Sequence, residues 1–136
     1  MGEKEPIRYG WLKVMYVWTI LIAGGFGLGL LTMPEQLRAM FGWPSQDPVL
    51  FGIVGCVYVA FGLLAILGLR SPLKFVPLLL LQLCYKLIWY LVIFVPTLMA
   101  GRVQMYGWVF AGVFATYIVG NLIAIPFSYV FEKEAR

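Results

Sequence analysis

Four apolar stretches, each about 20 residues long, constrain this chain more than any other feature. They occupy residues 11–31, 48–69, 72–95 and 106–126. A hydrocarbon core of about 30 Å is crossed by a helix of about 20 residues rising about 1.5 Å each. In lipid the backbone must satisfy its own hydrogen bonds, so only helices or closed barrels span. These stretches are filled with Leu, Ile, Val, Phe and Gly, without the alternation of a barrel strand. The expected fold is all-α: a polytopic membrane protein with four transmembrane helices in a bundle. With 136 residues in total, little is left for anything else, and residues 1–136 are expected to form a single four-helix transmembrane domain. The chain is 62% hydrophobic and 12% charged, against about 45–50% and about 25% in soluble domains. That excludes a water-soluble globule and a disordered chain. The first stretch exceeds the h-region of a signal peptide and has no A-x-A-like site after it, so it is expected to stay as a helix.

The cations sort by connector. Lys4, Arg8, Lys13, Arg70, Lys74, Lys133 and Arg136 fall on one side, Arg38 and Arg102 on the other. The positive-inside rule then places both termini in the cytoplasm. Tyr9, Trp11 and Tyr129 mark the inner border, and Trp43, Tyr106 and Trp108 the outer one, as an aromatic belt. The net charge of +4 is mostly this topology signal, so the lipid bilayer is the expected partner and nucleic acid is not.

Prolines and small residues punctuate the spans. Asp47-Pro48 and Ser71-Pro72 each set a capping side chain before a proline, predicting the starts of the second and third spans. Pro77 makes the third helix begin late or kink. Pro96 and Pro126 lie where the third and fourth spans should stop or bend. Thr32-Met-Pro-Glu35 reads as a capping box. With Leu37, Met40 and Phe41 on one face and Gly42 as a stop, it predicts a short amphipathic helix over 33–41 in the outer interface, either a plain connector or a lid. Gly52, Cys56 and Ala60, then Gly107, Ala111 and Ala115, and also Gly25 and Gly29, form small-xxx-small seams. Such seams serve contacts within the bundle or between subunits, so a homo-oligomer or a larger membrane complex stays open.

One cation lies deep inside a span. Lys86 is about 18 Å beyond Lys74 along a helix, near the bilayer centre. Lysine there costs about 2.5–3.5 kcal/mol on insertion scales, so it should face the bundle interior and marks a candidate site. At 100° per residue Gln82, Lys86, Trp89 and Ile93 share a stripe, with Tyr90 at its margin. Tyr58 and Tyr117 are placed at the depth of Lys86, and Asn121 at that of Gln82. Trp18, Ile22, Gly25 and Gly29 share a face of the first span that closes the pocket. All six acids lie outside the spans. Three outcomes remain for Lys86: a neutral amine bonded to Tyr, Gln or Asn; Glu35 folding inward to pair with it; or an anionic ligand supplying the missing charge.

The chain has no histidine, which removes His-based triads, imidazole metal sites and haem His ligation. Cys56 and Cys84 are too far apart to form a metal motif, and no phosphate-cradling loop is present. No catalytic residue, metal or cofactor is expected, and an enzyme acting alone is not favoured.

The span order, the connector Pro34-Glu-Gln-Leu-Arg-Ala-Met-Phe-Gly42 and the second-span ending Leu67-Gly-Leu-Arg-Ser-Pro72 give the chain a resemblance to the DoxX-like group of small four-helix membrane proteins. The resemblance covers most of the chain. It implies a bacterial inner-membrane protein, and some members of the group serve as membrane subunits of quinone-linked oxidoreductases. It carries over no functional residue. The expected function is to bind an amphiphilic, lipid or quinone-like ligand around Lys86, alone or as an accessory subunit. A small oligomeric transporter or channel with Lys86 on an anion route is the second expectation, and a purely structural membrane subunit the third.

Overall fold

The computed structural model describes residues 7–134. Lys4 and Arg136, used in the orientation argument, lie outside them. Among the described residues the regular structure is helical, without strands. Four helices are long and apolar enough to cross a membrane: α1 (Tyr9–Thr32), α3 (Pro48–Arg70), α4 (Val76–Met99) and α5 (Met105–Ala124). Two short helices join them, α2 (Pro34–Phe41) and α6 (Phe127–Val130). The chain is therefore an integral membrane protein.

The helix ends follow their punctuation only in part. Pro48 starts α3, and the Asp47 carboxylate accepts from Val49 N at 3.3 Å. Ser71-Pro72 does not start α4. Residues 71–75 form a turn and the helix begins at Val76, because Pro77 tolerates only an early helical position. Thr32 is not a cap either. Its hydroxyl donates to Leu28 O at 2.7 Å, back into α1, and Met33 is the uncapped N-cap residue of α2. Pro96 does not stop α4, which runs on to Met99. A proline ring clashes with the carbonyl four residues back, here Val92, and the turn at Tyr90–Phe94 is widened to a π-helix that absorbs it. Gly42 (φ 74°) and Gly101 (φ 69°) close α2 and the turn after α4 in the left-handed region that favours glycine. Ile125, ahead of Pro126, is extended and ends α5.

Packing is dominated by α1. It contacts α3 along its length and α5 along its N-terminal half, while α4 packs on α5 and more lightly on α3. Of the predicted seam residues, Gly29 and Ala111 are packed within the chain, whereas Gly25, Gly52 and Cys56 are not. Gly25 faces open space, and a Cβ there would meet nothing within 4 Å. Gly52 likewise meets nothing, and Cys56 is exposed. The close approach is made by Gly24 and Gly27 of α1 against Gly62 and Gly55 of α3. Ahead of Gly25 the first span carries a π-helical turn at Ile20–Gly24. It inserts an extra residue into the helical count, so positions beyond it rotate off the face that a uniform 100° step assigns.

Trp43 is a second correction. It is only 6% exposed, buried among Phe26, Phe41, Phe51, Tyr106 and Phe110 rather than sitting in a belt. Together with Leu30 and Leu37 this aromatic cluster ties α2 to the spans. Gly29 leaves room for Leu37, whose Cδ1 would stand 2.8 Å from a Cβ there. At the opposite end, Arg8 Nη1 donates to Ile123 O at 3.0 Å, satisfying a C-terminal carbonyl of α5. The beginning of α1 and the end of α5 thus share one side.

Candidate functional site

Lys86 lies near the middle of α4 and is 1% exposed. Its ammonium donates to Tyr85 Oη at 3.0 Å and to Gln82 Oε1 at 3.4 Å. Three rings face the same nitrogen: Tyr117 at 4.0 Å, Tyr85 at 4.3 Å and Phe114 at 5.2 Å from the ring centroids. A desolvated cation–π contact is worth up to about 2 kcal/mol, which is of the same order as the insertion cost of the lysine. The rings and the two hydrogen bonds to neutral partners make burial of the amine tolerable. An ammonium has three donors, and the two hydrogen bonds above use two of them. Among the described residues no carboxylate pairs with it.

The polar layer continues across helices. Gln82 Nε2 donates to Thr19 Oγ1 at 3.4 Å, and Thr19 Oγ1 donates to Met15 O at 2.8 Å. Gln82 and Thr19 are fully buried. The two bonds fix the amide so that its oxygen points to Lys86. Tyr117 Oη donates to Trp18 O at 3.3 Å, which ties α5 to α1 beside the lysine. Asn121 is one turn further along α5. Its Nδ2 donates to Leu79 O at 3.4 Å, while its buried Oδ1 has no hydrogen-bond partner. Buried polar groups without partners are rare in native structures, so this oxygen marks the layer as incompletely satisfied.

Lys86 lines a cavity of about 330 Å³. Its floor holds Tyr58, Phe114 and Tyr117, and its walls come from Ala23 and Phe26 of α1 and Phe110 of α5. Leu37, Met40 and Phe41 of α2 also line it. Leu21, Met40 and Val109 on the rim are well exposed. The cavity therefore opens past an apolar rim. Its size lies at the lower end of the range of about 300–1,000 Å³ for small-molecule sites.

The structure brings together Lys86, Gln82, Tyr117 and Tyr58 from the sequence-predicted set, with Asn121 a turn away. The others lie outside the cavity. Trp18 is half-buried beside the site, its ring 6.4 Å from that of Tyr117 and its Nε1 donating to Thr116 Oγ1 at 3.0 Å, but it does not line the cavity. Gly25 and Gly29 do not wall the pocket with it. Trp89 packs on Phe94 and Phe114 and lines a different chamber. Tyr90 donates to Ala111 O, holding α4 to α5. Glu35 is exposed and pairs with Arg38 at 2.9 Å, so it is not the counter-ion.

Sequence reasoning missed Tyr85, Thr19 and the aromatic walls Phe26, Phe110 and Phe114. Tyr85 lies a full 100° from Lys86 on the helix, and a long flexible amine reaches sideways to it. Thr19 carried a legible signal, as a hydroxyl in the middle of an otherwise apolar span.

Comparison of the chain with protein-family models, curated proteins and solved structures finds no match.

Proposed function

We propose that this protein binds an amphiphile with an acidic or polar head, of fatty-acid, lipid or quinone type, in the cavity beside Lys86. One observation carries the reading: a buried lysine amine held by neutral groups faces an apolar cavity whose rim is exposed, which in a membrane-spanning chain gives access from lipid. A head group entering from the bilayer would meet Lys86, and its chain would lie between α1 and α5 beneath α2. Binding releases the unpaired charge from its unfavourable setting, so the ligand and the lysine stabilise one another.

In this reading the four long helices form a bundle and α2 is an amphipathic helix in the outer interface that roofs the cavity. The excess of Arg and Lys around the termini and the α3–α4 turn supports termini in the cytoplasm. An inner-membrane location and kinship with DoxX-like accessory subunits rest on the short motifs at Pro34–Gly42 and Leu67–Pro72. Transport is a weaker reading, because fully buried Leu12, Tyr16, Leu79 and Val76 fill the space between Lys86 and the Arg8 end.

The test is thermal stability of the purified protein with decanoate, phospholipids and a short-chain quinone. Wild type should gain stability in a concentration-dependent way with at least one of them. Lys86→Met should lose that response while remaining folded. Absence of selective stabilisation of wild type by every compound would refute the proposal.

A further inference from the structure

A second, larger chamber of about 550 Å³ lies between α3, α4 and α5 and is not used by the reading above. Trp89, Phe94, Phe110 and Phe114 present aromatic surfaces to it, and Tyr58 and Tyr85 line its deep end. Trp89 stacks on Phe94 with centroids 5.3 Å apart and meets Phe114 edge-on at 5.0 Å. Arg102 lines the opposite end, beside Thr97 and Gln104. The turn that carries it is fixed by Gly101 in its left-handed conformation and by Arg102 N donating to Thr97 O at 3.1 Å.

No acid lines this chamber, and among the described residues no carboxylate pairs with Arg102. A guanidinium presents a planar fork that matches a carboxylate with two parallel hydrogen bonds. Aromatic faces and edges favour a flat ring over a flexible chain. The chamber therefore differs from the Lys86 cavity in both cation and lining. The two share Tyr58, Phe110 and Phe114 as a partition.

We propose that this chamber is a second binding site, taking an aromatic carboxylate whose anionic group sits on Arg102 and whose ring lies among Trp89, Phe94 and Phe114. The volume is within the range of small-molecule sites, and one fused two-ring acid fits it. Arg102 sets the polar end of the site at the connector between α4 and α5, while exposed Ile93 and Val54 line it at span depth.

The experiment is calorimetric titration of the full chain in neutral maltoside micelles with 1-naphthoate. Saturable binding is expected, weakened about tenfold or more in Arg102→Gln, the effect of losing a charged hydrogen-bond pair. Arg102→Lys should restore part of it. The neutral analogue 1-naphthylmethanol should bind wild type and Arg102→Gln alike. Helicity and melting temperature of Arg102→Gln, altered at an exposed turn, should match wild type. Saturating decanoate should leave the naphthoate affinity within about twofold, so this site stands whether or not the Lys86 cavity binds an acid. Equal affinity in Arg102→Gln, or displacement by decanoate, overturns the proposal.

Discussion

Replacing Gly27 with alanine tests the α1–α3 contact that shapes the cavity wall. A Cβ at Gly27 would stand 2.7 Å from Val59 N, 2.8 Å from Gly55 O and 2.9 Å from Tyr58 Cβ. Carbon contacts are comfortable at about 3.5–4.0 Å, so the helices must part by about 0.7 Å or more. The obstacles are backbone atoms and a Cβ, and none of them can rotate away. Overpacking of this kind costs about 1–3 kcal/mol. Alanine also gains about 1 kcal/mol of helix propensity over glycine, which masks part of the loss. Gly25→Ala supplies the control, since a Cβ there meets nothing within 4 Å while the propensity gain is the same. The difference between the two variants isolates packing at about 1–3 kcal/mol, with Gly25→Ala the more stable. Packing is the main force between membrane helices, which lack a hydrophobic drive to associate. The assay is reversible unfolding by SDS in mixed micelles. Stabilities within about 0.5 kcal/mol of each other, the range for surface changes, would refute the close approach. Because Ala23 and Phe26 adjoin Gly27 and line the cavity, Gly27→Ala should also weaken any decanoate response.

Three further outcomes are expected. Gly68→Ala puts a Cβ 2.6 Å from the Tyr16 ring, which is fully buried and donates to Pro72 O at 2.6 Å; SDS unfolding should show a loss of about 1–3 kcal/mol, and Tyr16→Phe a smaller one of about 0.5–1.5 kcal/mol. Tyr90→Phe removes the hydroxyl that donates to Ala111 O and should cost about 0.6 kcal/mol in the same assay, the average for hydrogen bonds between membrane helices. In a background with Cys56 and Cys84 replaced by alanine, Ser71→Cys should react with an impermeant maleimide only from the cytoplasmic side and Gln46→Cys only from the other, as the cation bias requires.

The spans were legible because a bilayer demands about 20 apolar residues with internally bonded backbone, and little else in a sequence looks like that. The interior position of Lys86 was legible for the same reason, since its cost is too high for a lipid-facing site. Gln82 one turn before it and Tyr117 on the facing helix followed from depth and period alone. What failed was angular detail. The first span is π-helical at Ile20–Gly24, so a uniform step does not carry from Trp18 to Gly25, and Gly24 and Gly27 make the close approach to α3. Thr32 satisfied the spelling of a cap but bonds backward to Leu28, a competition that threonine offers in any helix end. Trp43 looked like an interfacial anchor, and only the fold-back of α2 onto Gly29 buries it. Glu35 was a plausible counter-ion by sequence distance, but it sits on the exposed side of α2 with Arg38 within reach.

An acidic head group bound at Lys86 would lie within range of its amine, and solid-state NMR can measure that contact. Protein labelled with ¹⁵N at lysine side chains and reconstituted with carboxyl-¹³C decanoate should show a nitrogen–carbon dipolar coupling for a separation of about 4 Å or less, the reach of an ion pair. The coupling should vanish in Lys86→Met, which leaves the other lysines in place. Bound decanoate without that coupling, or a coupling that persists in Lys86→Met, would contradict the account.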